Sequence, residues 1–398
     1  MLRKFILLMA AEIILSGGAF AQSIKIGLTG PFSGPSASVG YAMRDGVKLA
    51  VSEINLAGGV MGKPIVLVER DDASNVEQGE RIAKEMINTE HVVATVGFVN
   101  NDVALAAQDF YETAEIPVLN DVATGTEIAR RFMPPEREAN YIFQMAVSDA
   151  VQAALIVQEA ITHRGLKAPA ILADSSRYGR AGLAELKKAL DGLHVTAASE
   201  DTFNIGDTDM TNQLARAKRA NAGVVLAFGE APELVGIVNS MAVLGWKLPV
   251  VGNWPLSTQD FVADAGFNSD GVSMPQTFIQ AGNTAKRAAF ISAYQRTYKM
   301  ARILSADCVA QSYDSVYLLK AAIEQAQSTN GPKIRDALEH LDTAVEGVVT
   351  IYDRPFSPTD HEAISANIPI FGAVRNRRLT AAHENDVEGG KLVRLKKQ

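Results

Sequence analysis

The run Ile24-Lys25-Ile26-Gly27-Leu28-Thr29-Gly30-Pro31-Phe32-Ser33-Gly34-Pro35 decides how this chain is read. A short β-branched strand, Ile24 to Leu28, gives way to glycine, proline and hydroxyl residues. From Tyr41 to Ala57 the apolar positions Val47, Ala50, Val51 and Ile54 then recur at helical spacing. Strand, polar turn and amphipathic helix in that order form one βα unit. Ala57-Gly58-Gly59 stops the helix, since glycine readily takes the left-handed conformation that ends one. The unit repeats with strand 65–69 and helix 76–87, strand 92–96 and helix 103–115, and a further strand over 116–119. Alternation of this kind predicts an α/β fold with a parallel sheet and crossover helices.

The grammar restarts after Met133-Pro134-Pro135. Helix 149–163, strand 170–173, helix 179–191, strand 195–202, helix 210–220, strand 224–227, helix 232–244 and strand 250–252 make a second doubly wound set. Three more helices are expected over 284–300, 308–327 and 332–341, with β-rich segments at 348–352 and 368–374 and an exposed basic tail over 391–398. A chain of 398 residues suits two lobes better than one core.

The first residues carry Arg3 and Lys4, an apolar stretch from Phe5 to Leu15 interrupted by Glu12, and Ala19-Phe20-Ala21. That is the order of a cleaved secretory leader, so residues 1–21 are expected to be removed. Loss of Arg3, Lys4 and Glu12 takes the formal charge from −7 to −8, and without a basic tract nucleic acid is excluded as a partner. No later stretch is long and apolar enough to span a bilayer. Cys308 is the single cysteine, so no internal disulfide can form.

The histidines at 91, 163, 194, 340, 361 and 383 are scattered and none stands in a metal-ligand spacing. Phosphate-loop, dinucleotide and nucleophile-elbow motifs are missing too, so a non-enzyme without cofactor or metal is expected. Short polar groups instead gather at strand ends: Thr29 to Pro35, Gly97 to Asp102, and Asn120 to Gly125. Open α/β sheets bind ligands at those ends, and amides at helix starts favour an anionic group. Asn101, Asp102 and Thr124 could equally serve as helix caps.

In order and spacing the chain resembles the periplasmic leucine/isoleucine/valine-binding proteins, solute receptors of ABC importers. The resemblance covers nearly the whole mature chain. It is carried by Ile26-Gly27-Leu28 with Ser33-Gly34-Pro35, Glu53-Ile54-Asn55, Ala57-Gly58-Gly59-Val60 with Gly62, and Asp71-Asp72-Ala73. Tyr111 to Pro117, Ala123-Thr124, Ser176 to Gly179 and Pro232-Glu233 continue it. It implies the type I periplasmic-binding-protein fold, two Rossmann-like doubly wound lobes joined by a three-segment hinge. Crossings would fall near 144–148, 273–277 and 350–354. Lobe one would hold 22–146 plus 276–352, and lobe two 147–275 plus 353–398.

The same resemblance implies a periplasmic location, an inner-membrane ABC permease as partner, and a small-molecule ligand held between the lobes. The ligand's carboxylate would meet Asn101, Thr124 and the backbone near Val122 and Ala123. Tyr178 would lay its ring over the ligand. The acid that pairs with an ammonium group in relatives aligns with Trp254, a departure for which Glu230 could compensate. An amino acid is therefore expected. An aromatic or keto acid stacked on Trp254 is the alternative, and a ligand sensor of the same fold is a second one.

Overall fold

In the computed structural model, which describes residues 23–281, 284–383, 386, 395 and 396, the opening strand lies inside a five-stranded sheet. The expected leader, 1–21, lies outside the described residues, as does most of the expected tail. Strands β1 (Ile24–Gly30), β2 (Ile65–Asp71), β3 (Ala94–Gly97), β4 (Val118–Asn120) and β5 (Ile142–Gln144) run parallel in the order β2-β1-β3-β4-β5. Helices α1 (Ala37–Leu56), α2 (Val76–Glu85) and α3 (Asn101–Thr113) make the crossovers. Helix α1 starts four residues before the expected Tyr41, and β3 two residues after Val92. Winding reverses between β1 and β3, so a crevice opens at their carboxyl ends. Gly97 ends β3 at φ +128°, and a Cβ there would stand 2.2 Å from the Thr29 carbonyl oxygen. Only glycine lets the two strand ends come this close.

The second lobe repeats the plan with β6 (Pro169–Asp174), β7 (Ser199–Phe203), β8 (Val224–Phe228), β9 (Val250–Gly252) and β10 (Ser273–Gln276). Between them lie α4 (Asp149–Val157), α5 (Arg177–Gly192), α6 (Thr211–Arg219), α7 (Ala231–Val243) and α8 (Gln259–Ala265). The chain then returns to the first lobe for α9 (Ala285–Tyr298), α10 (Ala306–Ala326), α11 (Gly331–Glu339) and a small hairpin, β11 (Val345–Glu346) with β12 (Ile351–Tyr352). It ends on the second sheet with β13 (Ile370–Arg375) and β14 (Arg378–Ala381), giving the order β14-β13-β10-β9-β8-β6-β7 with the last two strands antiparallel.

Helix α10 packs along α1, and a Cβ on Gly46 would sit 2.2 Å from the Val309 carbonyl oxygen, so glycine sets the depth of that contact. Asp314 on α10 accepts the amides of Val348 and Val349 at 2.7 and 2.8 Å and the Tyr352 hydroxyl at 3.0 Å. These bonds hold 348–350 as a buried turn within the expected β-rich segment 348–352, of which only Ile351 and Tyr352 are strand. The expected strand 195–202 is also displaced, to 199–203.

Three segments cross between the lobes. Val147 belongs to the first core and Ala153 to the second lobe, which puts one crossing at Ser148; Met274 and Phe278 divide likewise around Thr277. The third crossing falls at Pro369, not near 350–354. Phe356, Ala363, Ile364 and Ile368 pack in the first core, and the chain joins the second sheet only at Ile370. The stretch 356–368, expected in lobe two, is held by apolar burial and by pairing with β5, where the Gln144 amide donates to the His361 oxygen at 2.9 Å and the Ala363 amide to the Gln144 oxygen at 2.8 Å. In the expected free tail, Lys396 is mostly buried and its ammonium donates to Asp360 at 2.6 Å.

Candidate functional site

A cleft of about 340 Å³ separates the lobes at the carboxyl ends of their strands, a size that suits a small molecule. Lobe one lines it with Ser36 and Ser38 after β1, Ser74 after β2, Val99 to Val103 after β3, and Thr124 after β4. Lobe two contributes Ser176 and Tyr178 after β6, Ile205 after β7, Glu230 to Glu233 after β8, and Trp254, Pro255, Thr258 and Asp260 after β9. Of the residues expected from sequence, Asn101, Thr124, Tyr178, Glu230 and Trp254 meet here. Val122 lines a small adjoining cavity, and Ala123 is fully buried in the core.

The expected carboxylate donors are already used within the protein. Asn101 Oδ1 accepts the backbone amides of Thr124 at 2.9 Å and Gly125 at 3.0 Å, and its Nδ2 turns to Asp149 at 3.4 Å. The amides of Val122 and Ala123 both donate to the Phe98 oxygen, at 3.2 and 3.0 Å. Asn101 thus frames the loop after β4 instead of presenting a free donor. The Thr124 hydroxyl lies close to the Asp149 carboxylate and the Tyr178 phenol, where the two lobes face each other. Asn253 donates to the Tyr178 hydroxyl at 2.8 Å, and the ring packs edge-on against Phe228.

Among the described residues, two donors in the lining find no partner: the Trp254 indole Nε1 and the Ser74 hydroxyl are buried atoms without a hydrogen bond. Ser74 escaped the sequence reading although it follows Asp71-Asp72-Ala73 at a strand end, the one signal that marked its loop.

The lining contains Asp102, Glu230, Glu233 and Asp260 and no lysine, arginine or histidine. The Glu230 carboxyl, at the start of α7, makes no hydrogen bond or ion pair among the described residues, and burial, reinforced by the nearby acids Asp174, Glu233 and Asp149, lifts its pKa to about 7. Asp149, fully buried at the start of α4, is likewise lifted to about 7 by burial, against the hydrogen bonds from Thr124 and Asn101. Its Oδ1 has no partner, nor do Asp174 Oδ2 and Glu233 Oε2. Sequence alone places a hinge crossing beside Asp149 and gives the residue no role. A cluster of buried carboxyls with no counter-charge creates a potential that favours a cation.

Contacts across the cleft hold the lobes together. Arg177 on α5 pairs with Glu127 at 2.8 Å and approaches Asp102 at 3.7 Å, while the Ser38 hydroxyl donates to Asp260.

Comparison with known proteins agrees with this architecture. The chain is 29% identical to Leu/Ile/Val-binding protein homolog 3 of Brucella melitensis, over 81% of this chain and 84% of that protein. It is 28% identical to the leucine-, isoleucine-, valine-, threonine- and alanine-binding protein of Pseudomonas aeruginosa, over 80% and 82%. The crystal structure of a branched-chain amino acid transporter substrate-binding protein from Streptococcus pneumoniae, in complex with isoleucine, superposes with a TM-score of 0.78 at 25% identity, covering 90% of this chain and 98% of that one. The family description "periplasmic binding protein" matches residues 23–371. With two doubly wound lobes, three crossings and a cleft between the strand ends, the chain belongs to the periplasmic binding protein family.

Proposed function

We propose that this protein is the solute receptor of an ABC importer, working in the periplasm after loss of residues 1–21, and that it binds an amino acid between its lobes. The observation that carries the ligand is the unpaired Glu230 in a cleft lined by carboxylates and no basic side chain. An ammonium group supplies the missing charge, and the unpartnered Trp254 indole N–H and Ser74 hydroxyl support a carboxylate beside it. A keto or aromatic acid would bring an anion without a cation into an acidic cleft, which disfavours that alternative. Closure brings Thr124 and Tyr178 together, so a ligand touching both lobes biases the hinge toward the closed form that a permease partner would recognise.

Titration calorimetry of the mature protein with leucine and with its keto analogue, 4-methyl-2-oxopentanoate, tests this. Glu230→Gln should weaken leucine binding by about ten- to a hundredfold and leave the keto acid little changed. Equal losses for both, or a wild type that prefers the keto acid, would overturn the amino acid assignment.

A further inference from the structure

A second groove of about 270 Å³ is lined from both lobes and has the opposite charge to the cleft. Lobe one contributes Arg302 and the start of α10 at Ala306; lobe two contributes Arg377 and Arg378 from the turn between β13 and β14. None of the three guanidinium groups makes a hydrogen bond or ion pair among the described residues. The one acid recorded beside them, Asp270, accepts only the backbone amide of Arg377, at 3.4 Å. Asp260 is turned to Ser38, and Asp307 is buried and lines the small cavity that Val122 also lines. On a chain of formal charge −7, three unpaired arginines in one groove are a concentrated exception.

The turn that carries two of them is specific. Asn376 and Arg377 both have positive φ, +51° and +58°, the pattern of a tight hairpin turn in which Asn-Gly is the favoured pair. Arginine takes the glycine position here, and the tight turn fixes where Arg377 and Arg378 emerge. The amino end of the 21-residue helix α10, at Ser305 and Ala306, lines the same groove.

We infer that this groove binds a compact anion of two or more negative charges, of the phosphate or polycarboxylate class, held by Arg302 from one lobe and Arg377 and Arg378 from the other. An anion gripped from both sides braces the closed arrangement, so its binding is linked to that of the cleft ligand, each tightening the other.

Citrate is the first probe and inorganic phosphate the second, with sodium chloride matched in ionic strength as control. Calorimetry and thermal melts of the mature protein should show saturable citrate or phosphate binding absent with chloride. Arg302→Gln and Arg377→Gln should each weaken it by about tenfold. Glu230→Gln should leave it intact, which separates this site from the amino acid site. Equal responses to citrate, phosphate and chloride, or undiminished binding in the folded Arg302→Gln/Arg377→Gln/Arg378→Gln variant, would overturn the inference. So would capture of an acidic peptide with no response to either small anion.

Discussion

Asn101 Oδ1 accepts the Thr124 amide at 2.9 Å, so the start of α3 and the loop after β4 move as one piece. The same oxygen takes the Gly125 amide, and the same side chain reaches Asp149 across the first crossing. One amide side chain therefore ties two strand ends of lobe one to the first helix of lobe two.

Asn101→Ala should destabilise the ligand-free protein by about 1–3 kcal/mol, because it strands two backbone donors in a partly buried loop. Urea unfolding checks this. An unchanged midpoint would show that water replaces the side chain without cost.

The carboxyls of Glu230 and Asp149 give a pH dependence of definite sign. Glu230 ordinarily titrates near 4.5 and here near 7, and Asp149 is raised from 3.8 to about 7. Between those values the native empty protein keeps protons that the unfolded chain has released. Stability from these groups is thus fully present at low pH, falls as pH rises toward 7, and levels off above it. An ammonium ligand prefers the ionised carboxylates, so its affinity should run the other way, tightening by about tenfold or more from pH 5.5 to 8. Calorimetry and melts across that range read both slopes; parallel trends would contradict the assignment.

Trp254→Phe should weaken ligand binding by about tenfold while leaving the ligand-free melting temperature almost unchanged. The indole Nε1 has no partner among the described residues, so removing it costs the empty fold none of its described hydrogen bonds. A large loss of stability with unaltered affinity would place that nitrogen in a structural role.

Arg177→Gln should loosen closure. The two pairs it makes across the cleft are solvent-exposed and worth ~0.2–1 kcal/mol each. Small-angle scattering of the ligand-free variant should give a larger radius of gyration than the wild type, with the difference vanishing at saturating ligand. No difference without ligand would mean that Ser38 and Asp260 suffice to hold the lobes.

Strand and helix periodicity made the α/β plan and its two lobes legible in the sequence, and polar residues at strand ends located the cleft. Orientation was not legible. Whether Asn101 donates to a ligand or accepts from Thr124 depends on one side-chain rotation that residue type does not encode. Phe356, Ala363, Ile364 and Ile368 read as core residues, but apolar character does not say which of two cores they join, hence the misplaced third crossing. Asp149 looked like an ordinary helix start, and only the folded chain buries it beside Asn101 and Thr124. The hairpin of β13 and β14 was missed because Arg377 stands where the usual turn signal is glycine.

The crossings at Ser148, Thr277 and Pro369 also constrain how the chain is assembled. Lobe one lacks its central helix α10 until residue 326 is present, and lobe two lacks β13 beside β10 until residue 375. Neither half has its full set of elements while the remainder is still being made, and both gain their last ones near the end of synthesis. Contacts this distant in sequence form slowly. A polypeptide with this wiring stays unfinished, and threadable, for nearly its whole length.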